Sequence, residues 1–212
     1  MNYDLYIITD QRISHGKSHL EVAEAALTGG ATVIQFRDKE MEDSEAIEVC
    51  RKIYELTKKK GISFIVNDRV EVTRIVQADG VHLGQEDQSL DFARKILNQN
   101  QIIGISVDTA EQAIEAEKEG ADYLGVGPIY PTATKLDAGR ALGVTRLKEI
   151  KEAVSIPVIA IGGIDEDNLE EVLRAGADGV AVISAVVGAP DITQACRKLK
   201  NKIEYIKKRL GK

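Results

Sequence analysis

Short apolar runs alternate with longer amphipathic stretches along the whole chain. Four segments repeat one pattern, a helix-like stretch closing on Gly or Ala, then a small residue, then a short apolar run. They are GGATVIQFR from Gly29, QADGVHLGQ from Gln77, EGADYLGVG from Glu119 and AGADGVAVIS from Ala175. Between them lie LYIIT (5–9), ISFIV (62–66), IIGIS (102–106) and IPVIAIG (156–162), which makes eight predicted strands. Each is followed by apolar residues at helical spacing, as at Leu20, Ala23, Ala26 and Leu27, or at Ala110, Ala113 and Ile114. Val- and Ile-rich strands separated by amphipathic helices suit a parallel sheet covered by helices. Eight such units predict an α/β fold, a single (β/α)8 TIM barrel over residues 1–212. An open doubly wound sheet with a dinucleotide site is the alternative, but no G-x-G-x-x-G follows the first strand.

Composition agrees with one domain. A chain of 212 residues with 43% hydrophobic content buries one substantial core. No apolar run approaches the roughly 20 residues of a membrane span. The start, MNYDLYIITD, lacks the basic flank and cleavage site of a secretory signal, so a soluble, cytoplasmic protein is expected. Cys50 and Cys196 lie far apart in helix-like segments without metal-ligand spacing and are expected in the core. A net charge of −6 argues against a nucleic-acid partner. Attraction for anionic small molecules must then be local. Nothing in the pattern specifies an oligomeric state.

In such barrels chemistry gathers at the C-terminal strand ends. Gln35, Arg37 and Lys39 follow the second strand at i, i+2 and i+4, so a continued strand points all three to one face. Two cations among converging polar groups suit a diphosphate; a solvated strand end is the plainer reading. Asp68, after Asn67, and Asp87, in Gly84-Gln85-Glu86-Asp87, end neighbouring strands. They fit a magnesium site, and each equally fits a helix N-cap. The segment from Gly127 to Lys135 offers Thr132, Thr134 and Lys135 as anion donors, unless it is an ordinary flexible loop. Gly162-Gly163 and Ile183-Ser184 end the last two strands, where backbone N–H groups frequently bind phosphate, although a tight turn also explains the glycines. Ser106 either donates to a ligand or caps the next helix. His82 lies between Val81 and Leu83 and reads as a barrel-wall residue before a catalyst; His15 and His19 receive no role.

The motifs, in order, resemble the thiamine phosphate synthase family over almost the whole chain. Gln35 to Lys39, FIVND (64–68), ADGVHLGQED (78–87), GIS (104–106), ADYLGVGPIYPTATK (121–135), IGGI (161–164) and ADGVAVISA (177–185) carry the resemblance. GQED together with GPIYPTATK is its most specific part. The resemblance implies that Gln35, Phe36, Arg37, Asp38, Lys39, Asn67, Ser106 and Lys135 hold a hydroxymethylpyrimidine diphosphate. It implies Mg2+ on Asp68 and Asp87. Thr132, Ala133, Thr134, Gly163, Ile183 and Ser184 would hold a thiazole phosphate, in its carboxylated or decarboxylated form. Lys135, Ser106 and Arg37 become the candidate catalytic residues. Asp108 departs from the His or Thr often found there, and Leu136 to Arg140 carry no assignment.

The implied reaction releases pyrophosphate from the pyrimidine methylene, which the thiazole nitrogen then attacks. Bond formation needs no general base, so the lack of a catalytic triad is no objection. One rival is a thiazole tautomerase on the same barrel, which should lack the full GQED and TxTK sets and use a histidine on strand five. Another is a non-catalytic barrel that binds thiamine precursors. A different phosphate barrel would leave the Asp pair and the Thr-rich loop idle.

Overall fold

A computed structural model describes residues 1–134 and 139–211. Its strands are β1 (Leu5–Ile8), β2 (Val33–Phe36), β3 (Ser63–Asn67), β4 (Gly80–Leu83), β5 (Ile102–Val107), β6 (Tyr123–Val126), β7 (Val158–Ile161) and β8 (Gly179–Val182). They close in sequence order into a barrel, all eight parallel, with β8 returning to β1 through Leu5↔Val180 and Ile7↔Val182. The helices are α1 (His19–Gly29), α2 (Asp43–Lys60), α3 (Val70–Val76), α4 (Leu90–Ile96), α5 (Ala110–Lys118), α6 (Gly143–Ala153), α7 (Leu169–Arg174), α8 (Ser184–Val187) and α9 (Ile192–Leu210). All eight expected strands are present, with ends shifted by one or two residues: LYIIT runs one residue past β1, and IIGIS stops one residue short of the end of β5. None of the described helices is long and apolar enough to cross a membrane.

Strand register decides which residues meet inside. Partnered residues share a face, so Tyr6↔Val33, Ile8↔Gln35 and Gln35↔Ile65 put Tyr6, Ile8, Gln35 and Ile65 on the inner wall. Asn67↔His82, His82↔Gly104, Ser106↔Gly125 and Ile161↔Ala181 continue that wall around the ring. The alternate residues, among them Leu5, Ile7, Ile34, Phe36, Phe64, Val81 and Leu83, are fully buried and face the helices. This two-sided burial is why the strands lack a polar alternation.

The repeat has a physical cause at the opposite end. Asp79, Asp122 and Asp178 stand just before β4, β6 and β8, and each carboxylate accepts the N–H that opens the preceding strand. The bonds run from Phe64 N (2.7 Å), Ile103 N (2.7 Å) and Val158 N (2.8 Å). Thr32 does the same for Leu5 N at 2.9 Å. Strand entry leaves these donors without a ladder partner, and the polar step supplies one.

Helix phase follows the apolar spacing on α1 and departs from it on α5. Val22, Ala23, Ala26 and Leu27 bury one face of α1, which starts at a capping box between Ser18 and Glu21. On α5 the buried face is Ala113 and Ala116, and Ile114, expected inward, is 50% exposed. Cys50 and Cys196 are buried free thiols, and burial pushes both up to about 12, so neither is poised to react.

Candidate active site

A cavity of about 410 Å³ opens at the C-terminal mouth of the barrel. Its wall contains Gln35, Arg37, Lys39, Asn67, Asp68, Asp87 and Ser106 from the β2–β5 side, and Thr132, Thr134, Gly163, Ile183 and Ser184 from the β6–β8 side. Residues 67 apart in sequence at Asp68 and Lys135 were expected together, but Lys135 lies outside the described residues, as do Leu136 to Ala138.

Three expected residues are not on that wall. Phe36 points the other way, fully buried, its ring 4.7 Å from that of His19. The strand alternation that brings Gln35 and Arg37 inward forces this, so only backbone atoms of Phe36 are available to a ligand. Asp38 leaves the strand as a turn residue, accepting the N–H groups of Glu40 (3.0 Å) and Met41 (2.9 Å), and it borders a neighbouring depression. Ala133 likewise is absent from the wall formed by Thr132 and Thr134.

His19, given no role by sequence, is buried between these elements. Its Nε2 meets Asp38 Oδ2 at 3.1 Å and its Nδ1 meets Thr9 Oγ1 at 2.6 Å. A carboxylate only accepts, so Nε2 carries the proton and Thr9 donates to Nδ1. Burial lowers the imidazole's proton affinity, outweighing the opposite pull of Asp38.

Arg37 is 7% exposed, and its Nη1 lies 3.3 Å from Asp10 Oδ2. Asp10, itself buried, also receives Arg12 Nη2 at 2.7 Å, and that same nitrogen donates to Thr134 O at 3.1 Å. Two guanidinium groups thus share one carboxylate, which leaves a surplus of positive charge beside the cavity. Asp10 was legible only as the residue two beyond Ile8 on the inner face of β1.

The two readings left open for the acids separate here. Neither caps a helix: Arg69 and Ser89 stand at the N-cap positions of α3 and α4. Asp68 adopts φ 63°, a conformation uncommon outside glycine, and its N–H donates to His82 O at 2.9 Å. Asp87 Oδ2 accepts from Gly84 N at 2.6 Å. Ser106 is not a cap either, since Thr109 caps α5. No group of three or more His, Cys, Asp or Glu able to hold a metal occurs among the described residues. A pair of carboxylates still fits Mg2+, which commonly takes one or two from protein and the rest from water and substrate phosphate.

Gly163 has φ 65°, and a Cβ there would lie 2.7 Å from Tyr130 Cβ. At the end of the neighbouring strand, Ile183 leads into α8, which has no side-chain cap hydrogen bond. His82, expected on the barrel wall, lines the cavity, whereas sequence reasoning missed Tyr6, Tyr123 and Asp108 as wall residues. The inner-face period of two, counted back from the strand ends, would have found the tyrosines.

Fold and site together define a (β/α)8 barrel whose cation-bearing mouth suits phosphorylated small molecules. A family described as thiamine monophosphate synthase matches residues 5–186. A thiamine-phosphate synthase of Methanospirillum hungatei is 52% identical over 198 residues, covering 93% of this chain and 96% of the relative. Its counterpart in Methanocella arvoryzae is 50% identical over 200 residues, covering 94% of each. The solved thiamine phosphate pyrophosphorylase of Pyrococcus furiosus superposes with a TM-score of 0.90 at 47% identity, covering 97% of each chain. The chain belongs to the thiamine monophosphate synthase family.

Proposed function

We propose that this chain is a thiamine-phosphate synthase, a transferase joining 4-amino-2-methyl-5-hydroxymethylpyrimidine diphosphate to 4-methyl-5-(2-phosphoethyl)thiazole with release of pyrophosphate. The observation that carries the reading is one cavity with two unlike polar halves, in a chain about half identical to synthases over nearly its full length. Gln35, Arg37, Lys39, Asn67 and Ser106 suit the diphosphate half, and the family resemblance assigns Lys135 of the TATK motif to the same ligand. Thr132, Thr134, Gly163, Ile183 and Ser184 suit the thiazole phosphate.

In the reaction the methylene–oxygen bond breaks with its electron pair on the pyrophosphate, and the thiazole nitrogen's lone pair forms the new carbon–nitrogen bond. No proton must move for this, which matches a wall rich in cations and donors. Arg37 and Lys39 attract the leaving group, and the barrel wall keeps the rings in line and water out. Asp68 and Asp87 would hold Mg2+, which when bound would neutralise charge developing on the pyrophosphate. A cytoplasmic site of action belongs to the same reading.

Purified protein incubated with both substrates and Mg2+ is expected to form thiamine phosphate and pyrophosphate in equal amounts. No product under these conditions would sink the reading. Turnover of the thiazole phosphate alone would point to the tautomerase activity instead.

A further inference from the structure

Five inward side chains from five strands form one line of hydrogen bonds across the cavity floor. Gln35 Nε2 lies 2.8 Å from Tyr6 OH, and Tyr6 OH lies 2.9 Å from Tyr123 OH. Tyr123 OH lies 3.0 Å from His82 Nδ1, and His82 Nε2 lies 2.9 Å from Ser106 Oγ. Both phenols are buried, and burial raises both far above their ordinary value, so both keep their protons. The barrel wall clears space for the rings. A Cβ at Gly104 would lie 2.1 Å from Tyr123 Cζ, and one at Gly125 would lie 2.9 Å from His82 Cε1.

Counting donors gives this line a direction. An amide nitrogen only donates, so Tyr6 oxygen accepts from Gln35. The Tyr6 proton then goes to its other partner, Tyr123, and the Tyr123 proton goes in turn to His82 Nδ1. A neutral imidazole that accepts at Nδ1 carries its proton on Nε2, which donates to Ser106 Oγ. The Ser106 proton is therefore turned away from His82, toward the cavity that Ser106 lines.

We propose that Tyr6, Tyr123 and His82 are positioning residues that fix the Ser106 hydroxyl as a donor toward an acceptor atom of the bound pyrimidine diphosphate. The identity of that ligand rests on the function proposed above; the direction of the relay does not. A donor oriented before the substrate arrives needs no reorganisation as charge develops. Gln35 anchors the line at its far end, which gives a strand-end glutamine a task apart from ligand contact.

Nitrogen-15 spectra of labelled wild-type protein at neutral pH, with His82 assigned by comparison with His82→Asn, read the tautomer directly. The expected result is a neutral ring protonated at Nε2. A proton on Nδ1, or on both nitrogens, would overturn the proposal whether or not the protein makes thiamine phosphate. Kinetics supply the second test. Tyr123→Phe removes one hydroxyl and is expected to lower kcat about tenfold, leaving the KM for thiazole phosphate unchanged. In a Ser106→Ala background the same substitution should cost nothing further. An equal loss in both backgrounds would make Tyr123 merely structural and reject the relay. Tyr6→Phe carries the same expectation and serves if Tyr123→Phe does not fold. A wild type that forms no thiamine phosphate would reject the functional reading alone, and the tautomer would still decide the relay.

Discussion

At Gly163 a backbone requirement coincides with the ligand contact proposed above. Its φ of 65° is disfavoured for any residue with a Cβ, and the added atom would also lie 2.9 Å from Pro131 O. Gly163→Ala is expected to lower stability by about 1–3 kcal/mol in urea denaturation and to raise the KM for thiazole phosphate more than that for the pyrimidine diphosphate. Equal rises in both constants would contradict the two-half cavity. The acids give a cleaner substitution, because asparagine matches their size, tolerates the φ of Asp68 and can still accept from Gly84 N at position 87. Asp68→Asn and Asp87→Asn should each lower kcat/KM about 10–100-fold at limiting Mg2+ while melting as the wild type does. Unchanged activity in both, or in EDTA, would remove the metal from the site. These residues were legible because they stand at strand ends with unusual chemistry for an apolar context. Tyr6 and Tyr123 were not, since a buried tyrosine in an apolar run looks like core until the closed register turns it inward.

Elements explain why the repeat was readable at all. Four polar steps, Thr32, Asp79, Asp122 and Asp178, recur because four strand entries each leave an N–H to satisfy. Asp178 also receives Lys151 at 2.8 Å. Asp178→Ala is expected to destabilise the fold by about 1–3 kcal/mol, since Val158 N–H loses its partner. Both KM values and kcat should stay within about twofold, because this end of the barrel holds structure and not chemistry. A large fall in kcat with an intact fold would contradict that division. Strands were legible from Val and Ile content, and their ends were not, because the last residues of a run such as IPVIAIG already belong to the loop. Ile114 shows the limit for helices: spacing alone does not choose between two adjacent apolar stripes when one consists of alanines.

For the molecule as a whole, His19 ties stability to pH. Its folded proton affinity lies below the ordinary 6.5, so the unfolded chain binds more protons. Its contribution is complete above about pH 6.5 and is lost as pH falls through the lowered value. Asp38 and Asp4 sit below their ordinary 3.8 and weaken only at lower pH. The urea midpoint is therefore expected to drop between pH 7 and pH 5, and His19→Gln should flatten that slope. An identical slope in the variant would show that other groups cause it. Closure of the barrel reaches further, into the order of synthesis. Asp4, at the entry to β1, is held by Lys200 (2.9 Å) and Lys207 (2.5 Å) of α9, and β1 gains its second neighbour only from β8. A chain still emerging from the ribosome therefore carries an unpaired β1 edge until Gly179–Val182 has been made, and an open strand edge is a template for another chain. Chains halted before β8 should pellet during translation, whereas complete chains released from the ribosome should stay in the supernatant. The ring that creates one cavity thus leaves its first-made strand with an open edge for almost the whole of its synthesis.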